Sequence, residues 1–197
     1  EAFEKSSTYD SIISGYLNPE YEKKNTELRY GENPHQKGRF IGDLKDYLIQ
    51  LNGKEISYNN LLDIDASLDL LRDLESTKAV FLIHKHNNPC GVAIRDSIIE
   101  AYEDALACDN ISAFGGVLTS NKKVDKKTAD QINKLFFEIL IAPDFDDDAL
   151  DLLKSRKNRI LIKLNKIPIK NIQKRSCLNG FLEQDIDNKI ENFGDFK

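Results

Sequence analysis

Four short apolar segments between residues 79 and 164, each separated from the next by a helix-length stretch, constrain the fold more than any other feature. Residues 79–84 (AVFLIH) are almost wholly apolar, the pattern of a strand covered on both faces. Residues 117–119 (VLT), 139–142 (ILIA) and 159–164 (RILIKL) repeat it. Between them, Ser97 and Glu100 form a capping-box pattern ahead of a helix carrying Ile98, Tyr102, Ala105 and Leu106. Asp125 is placed to cap a helix with Ala129, Ile132, Leu135 and Phe136 inward, and residues 146–154 read as a further short helix. Upstream, Leu61, Ile64, Leu68, Leu71 and Leu74 recur at intervals of three and four, one apolar stripe of a helix. Parallel strands need a crossover of helix length, so this alternation predicts an α/β fold, a layered sheet with helices on its faces.

The flanks are less regular. Residues 1–17 read as the end of a helix, with Phe3, Tyr9, Ile12, Ile13 and Tyr16 at mixed three- and four-residue spacings and Gly15 near the stop. Residues 18–27, with Pro19 and little apolar content, read as a linker, which places a domain boundary near residue 20. Gly38-Arg39-Phe40-Ile41 is a short strand candidate, Asn52-Gly53 marks a tight turn, and a strand is expected at 178–184. The chain contains no methionine, which suggests a piece of a longer polypeptide. Its three scattered cysteines suggest a reducing compartment, and so the cytoplasm. No stretch approaches the roughly 20 apolar residues of a membrane span. A net charge of -5 argues against a broad nucleic-acid footprint, so any phosphate must be met by a local site.

Three windows carry candidate chemistry. His84-Lys85-His86-Asn87-Asn88-Pro89-Cys90-Gly91 is read as a loop where a buried strand runs out, and ligands of open α/β sheets collect outside the carboxyl ends of strands. A histidine can move a proton near neutral pH while a neighbouring lysine stabilises negative charge on oxygen, a pairing suited to addition at a carbonyl. The same residues can serve as an ordinary turn. A zinc site from His84, His86 and Cys90 lacks a fourth partner, and the Pro-Cys pair lacks the second cysteine and upstream His-x-Glu of zinc deaminases, so no metal is expected. Arg29-Tyr30-Gly31-Glu32-Asn33-Pro34-His35 offers a guanidinium fork for an anion and a ring for stacking, or else a solvated turn. In Ser112-Ala113-Phe114-Gly115-Gly116 the glycines allow close backbone approach to a ligand, though Gly-Gly is also common punctuation. Asp146 to Asp148 fit a helix start better than a metal cluster.

In their order, LRYGENPHQ, NGKEISYNNLLD, KHNNPCG, SAFGG and EILIAP closely resemble the bienzyme family of purine biosynthesis that combines phosphoribosylaminoimidazolecarboxamide (AICAR) formyltransferase with IMP cyclohydrolase, in its bacterial form. The resemblance is collinear over the whole chain. It implies transfer of a formyl group from the co-substrate 10-formyltetrahydrofolate to the 5-amino group of AICAR, with ring closure to IMP in another domain. On that resemblance residues 1–17 are the last helix of the cyclohydrolase domain, 18–27 a linker, and 28–197 the first half of a duplicated, cytidine-deaminase-like formyltransferase without zinc. His86 would move the proton, with Lys85 as its charged partner. Arg29, Tyr30, Asn60, Gly115 and Glu138 would bind the nucleotide; His35 is left outside the catalytic set. The resemblance further implies a homodimer with shared sites. The alternative is a catalytically silent nucleotide-binding or scaffold fragment of the same enzyme.

Overall fold

In the computed structural model the described residues are 25–74 and 76–187, together with Phe3, Lys5, Ser6 and Tyr9, which are helical. The remainder of the expected helix over 1–17 lies outside them. The chain divides into two compact units, Glu1–Ile167 and Pro168–Lys197.

The first unit contains β1 (Asn25–Leu28), β2 (Gly38–Ile41), β3 (Leu48–Asn52), α1 (Tyr58–Asp73), β4 (Ala79–Lys85), β5 (Asn88–Arg95), α2 (Ile98–Cys108), β6 (Val117–Ser120), α3 (Lys126–Ile132), β7 (Ile139–Ala142), α4 (Asp147–Lys154) and β8 (Ile160–Leu164). Strands β1 and β2 form an antiparallel pair, so β1 occupies the end of the stretch read as a linker. The other six strands form one sheet in the order β3-β8-β7-β6-β4-β5. Its residues alternate between two cores. Phe81, Ile83, Leu118, Leu140 and Leu161 pack with Tyr102, Ile132 and Leu153 of α2, α3 and α4. Leu82, Val117, Ile141 and Ile162 pack with Ile64, Leu68 and Leu71 of α1 on the other face. The period of two within strands and the stripe on α1 thus give an α/β/α layering. Full burial of each such leucine or isoleucine contributes about 1.5–3 kcal/mol.

The sheet departs from the expected parallel order. Strands β6, β7 and β8 are parallel, but β4 runs antiparallel to both β5 and β6, and β3 antiparallel to β8. The cause is local. Residues 84–91 are not a loop at a strand end but a tight hairpin, in which Lys85 pairs with Asn88 across His86 and Asn87. Both turn residues have positive φ, 53° and 62°, as a two-residue type I′ turn requires.

Two helix details also differ. Phe136, expected inward, is 55% exposed, and Phe137 takes the buried place, because α3 ends at Ile132 and the following segment is not helical. At α2 the Glu100 carboxylate accepts from the Ser97 hydroxyl, so the reciprocal bond to the cap backbone is not the one formed. The complete capping box is at α1: Ser57 Oγ accepts from the Asn60 N–H, and Asn60 Oδ1 accepts from the Ser57 N–H.

The second unit is a hairpin of β9 (Ile172–Cys177) and β10 (Gly180–Asp185), the latter close to the strand expected at 178–184. No helix among the described residues is long and apolar enough to cross a membrane.

Candidate active site

A cleft of about 410 Å³ opens beside α1 and is lined by Tyr30, Glu32, Ser57, Asn59, Asn60, Leu62, Asp63, His84, Lys85, His86, Asn87, Gly115 and Glu138. Of the residues singled out from sequence it gathers Tyr30, Asn60, Lys85, His86, Gly115 and Glu138. Arg29 is not in its wall. Its guanidinium lies 4.7 Å from the Tyr30 ring centre and donates to the Tyr30 hydroxyl at 2.8 Å.

The cleft's place in the sheet differs from the carboxyl-end rule applied to the sequence. Lys85 closes β4, but Gly115 and Glu138 lie just before β6 and β7. Because β4 is antiparallel to β6, its end meets the beginnings of the parallel strands there. The polar N-terminal turn of α1 completes the wall.

Each side chain is held for a local reason. Glu138 receives the Lys54 ammonium on Oε1 at 2.5 Å and the Asn60 amide on Oε2 at 3.2 Å. Asn60 is fixed in turn by the capping box, so the start of α1 and a carboxylate in front of β7 form one unit. Gly115 has φ 75°, a conformation that side-chain-bearing residues rarely adopt, and its N–H donates to the Phe136 carbonyl. Lys85 Nζ donates to the Phe114 carbonyl at 2.9 Å, which anchors the ammonium to the same loop. That loop is braced by Asp109, whose carboxylate accepts from the Ile111 and Ser112 amides. Hydrogen bonds from Ser112 hold the Asp109 carboxyl below its ordinary range. Beside it the Phe114 and Phe136 rings, both exposed, lie 4.9 Å apart.

His86 and Asn87 pay for their left-handed backbone with about 1 kcal/mol or more each. Two contacts offset this cost: Asp63 Oδ1 accepts from the Asn87 N–H at 2.7 Å, and the Asn88 amide donates to the His86 carbonyl at 2.8 Å. His84 is 1% exposed, and its Nδ1 has no hydrogen-bond partner. Burial lowers its pKa from the ordinary value near 6.5, partly opposed by the Asp63 carboxylate, so the ring is neutral at pH 7.

His84 and Cys90 do not converge. His84 pairs with Val117, whose side chain belongs to the α1 face, while Cys90 packs on the α2 face and its thiol donates to the Ile83 carbonyl. Burial raises the Cys90 thiol above its ordinary value. Among the described residues no group of three or more His, Cys, Asp and Glu is arranged to hold a metal ion.

Lys54 and Asp63 were not singled out from the sequence. Asp63 follows Asn60 by three residues on a helix, which puts both on one face, so its signal was present. Lys54 lay inside the NGKEISYNNLLD motif but carried no spacing that pointed to Glu138.

Fold and cleft together define an α/β domain with a polar pocket of small-molecule size. The model of the AICARFT/IMPCHase bienzyme family matches residues 1–197. A bifunctional purine biosynthesis protein PurH of Bacteroides thetaiotaomicron is 49% identical over 204 residues, covering 100% of this chain and 40% of that protein. The protein of the same description from Petrotoga mobilis is 40% identical, over 98% of this chain and 41% of its own length. That of Clostridium botulinum is 44% identical, over 96% and 40%. The chain belongs to the AICARFT/IMPCHase bienzyme family and spans about 40% of the length of these relatives.

Proposed function

We propose that this chain supplies part of the formyltransferase site of a bifunctional purine-biosynthesis enzyme, transferring a formyl group from 10-formyltetrahydrofolate to the 5-amino group of AICAR. The observation that carries the reading is the convergence, in one cleft, of Tyr30, Asn60, Lys85, His86, Gly115 and Glu138 from separate segments. Their chemistry suits the reaction. The amine is conjugated with the imidazole and is a weak nucleophile, so a proton must leave as its nitrogen attacks the formyl carbon. The resulting oxyanion needs a cation, for which Lys85 stands beside His86. When the bond from the formyl carbon to the folate nitrogen breaks, the proton taken by His86 can pass to that leaving nitrogen. Tyr30, Asn60, Gly115 and Glu138 would hold the nucleotide. The exposed Phe114–Phe136 pair, its rings tilted by 34°, offers aromatic surface for a heterocycle beside the Lys85 anchor.

In this reading residues 1–17 close the cyclohydrolase domain and 28–197 form the first half of a cytidine-deaminase-like formyltransferase. Two copies of the protein share their sites across a cytoplasmic homodimer. A cleft wall that lacks Arg29 suits a site completed by other chain segments. The test is steady-state kinetics of the full-length protein. His86→Ala lowers turnover by roughly 10²–10⁴ with nucleotide affinity nearly unchanged, whereas Arg29→Ala raises the nucleotide KM with turnover nearly kept. Near-normal turnover of His86→Ala removes His86 from the reaction.

A further inference from the structure

We propose that Asp63 is the positioning residue of the active-site turn, acting through the backbone of Asn87 to set where His86 stands in the cleft. The proposal rests on the reading of His86 given above but draws on separate observations. His86 occupies the first position of a type I′ turn, where asparagine, aspartate or glycine is usual. Asn87 takes the second position, where glycine is usual. Asparagine tolerates this conformation better than most residues, but neither side chain is as free in it as glycine, so contacts that hold the turn add to its stability.

One hold is local, the Asn88 amide on the His86 carbonyl, and the other comes from a separate element. Asp63 lies on α1, and its Oδ1 takes the Asn87 N–H at 2.7 Å over a sequence separation of 24 residues. One helical turn earlier on the same face, Asn60 holds Glu138. A single rigid helix therefore fixes both the acidic residue and the histidine turn and sets the spacing between them. Its foot is fixed by the Ser57–Asn60 capping box, and further along Ser67 bonds to Thr119 in the sheet at 2.5 Å. The placement of His86 is thus governed by a residue that need not touch the substrate.

The role requires an acceptor oxygen and not a negative charge, which separates the variants. Asp63→Asn keeps an oxygen for the Asn87 N–H; Asp63→Leu does not. In the full-length protein Asp63→Asn is expected to keep turnover within about threefold. Asp63→Leu is expected to lose about 10- to 100-fold in kcat with the nucleotide KM within threefold, since misplacing a catalytic group by about 1 Å can cost 10²-fold. Adding Asn87→Gly to Asp63→Leu eases the turn without the clamp and recovers most of the lost kcat. Site-resolved hydrogen exchange supplies a readout that needs no activity. The Asn87 amide is protected in the wild type and in Asp63→Asn and loses that protection at least tenfold in Asp63→Leu. An Asn87 amide that exchanges at the free rate in the wild type overturns the proposal, even if Asp63→Leu does not fold. Equal loss of kcat in Asp63→Asn and Asp63→Leu overturns it as well. A wild-type protein that transfers no formyl group refutes the functional reading alone, while the exchange result still decides the role of Asp63.

Discussion

Replacing Gly91 by alanine tests how closely the hairpin that carries Lys85 and His86 is seated on the helix behind it. A Cβ at position 91 would stand 2.0 Å from the Ala105 carbonyl oxygen and 2.9 Å from its carbon. Ordinary contacts between carbon and oxygen lie at about 3.3–3.6 Å, so β5 and α2 must separate by about 1.3 Å. The obstacle is backbone, and no rotamer relieves it. The helix sits this close because Ala101 and Ala105 face the sheet, both fully buried, with Tyr102 wedged edge-on to Phe81 at 5.1 Å. A gap of 0.5–1 Å already forfeits about a quarter to a half of the dispersion energy across an interface. Overpacking of this kind costs about 1–3 kcal/mol and occasionally more, and the hard backbone contact puts the expected value at about 3 kcal/mol. For a chain of this length that lowers the melting temperature by about 6–12 °C. Calorimetry of Gly91→Ala measures it, with Gly180→Ala as the control, since a methyl there meets nothing nearer than 4.0 Å. A Gly91→Ala protein that melts within about 2 °C of the wild type refutes the close seating of β5 on α2.

Ser57→Ala removes the hydroxyl that receives the Asn60 N–H but keeps the backbone N–H that holds the Asn60 side chain on Glu138; it is expected to cost about 1 kcal/mol in denaturant unfolding and to leave the nucleotide KM nearly unchanged. Lys54→Ala leaves Glu138 without its ammonium partner, and the expected outcome is a nucleotide affinity weakened about tenfold by calorimetry, with an unchanged affinity contradicting the pairing's role. His84 is held below its unfolded pKa by burial, so the unfolded chain takes up the proton first on acidification, and stability falls as the pH drops through about 6.5 and goes on falling until the folded-state ring also protonates. His84→Leu flattens that part of the curve of melting temperature against pH; identical slopes for the two proteins contradict a buried neutral ring.

The layering was readable because its signal is local and periodic. The stripe of Leu61, Ile64, Leu68, Leu71 and Leu74 matches α1, and the apolar segments at 79–84, 117–119, 139–142 and 159–164 match β4, β6, β7 and β8. Strand direction was not readable from the same signal, since an apolar run has no polarity. The hairpin at 86–87 stayed hidden because His-Asn lacks the glycine that announces a type I′ turn, and Asn88–Arg95, with Pro89 and Gly91 in it, looks like turn material. Pro89 is tolerated because β5 is an edge strand of the sheet. Phe136 and Phe137 show the limit of periodicity at an element's end. Which of two adjacent aromatics turns inward depends on where α3 stops, at Ile132.

The cleft was legible for residues whose type suggests chemistry and illegible for those that only hold others in place. Lys85 and His86 attract notice as a cation beside a proton carrier, but the contacts that fix them come from Phe114, Asn88 and Asp63, through backbone atoms that carry no sequence signature. Glu138 could be marked as an acid, yet its pairing with Lys54 spans 84 residues and exists only because β3 and β7 lie on either side of β8. Residues that act on a ligand must have particular side chains, which limits them to a few types. Residues that position them need only an acceptor or a donor at one point in space, and many types can supply it. Asp63 is of the second kind, which is why the fold had to be known before its place opposite the histidine turn could be seen.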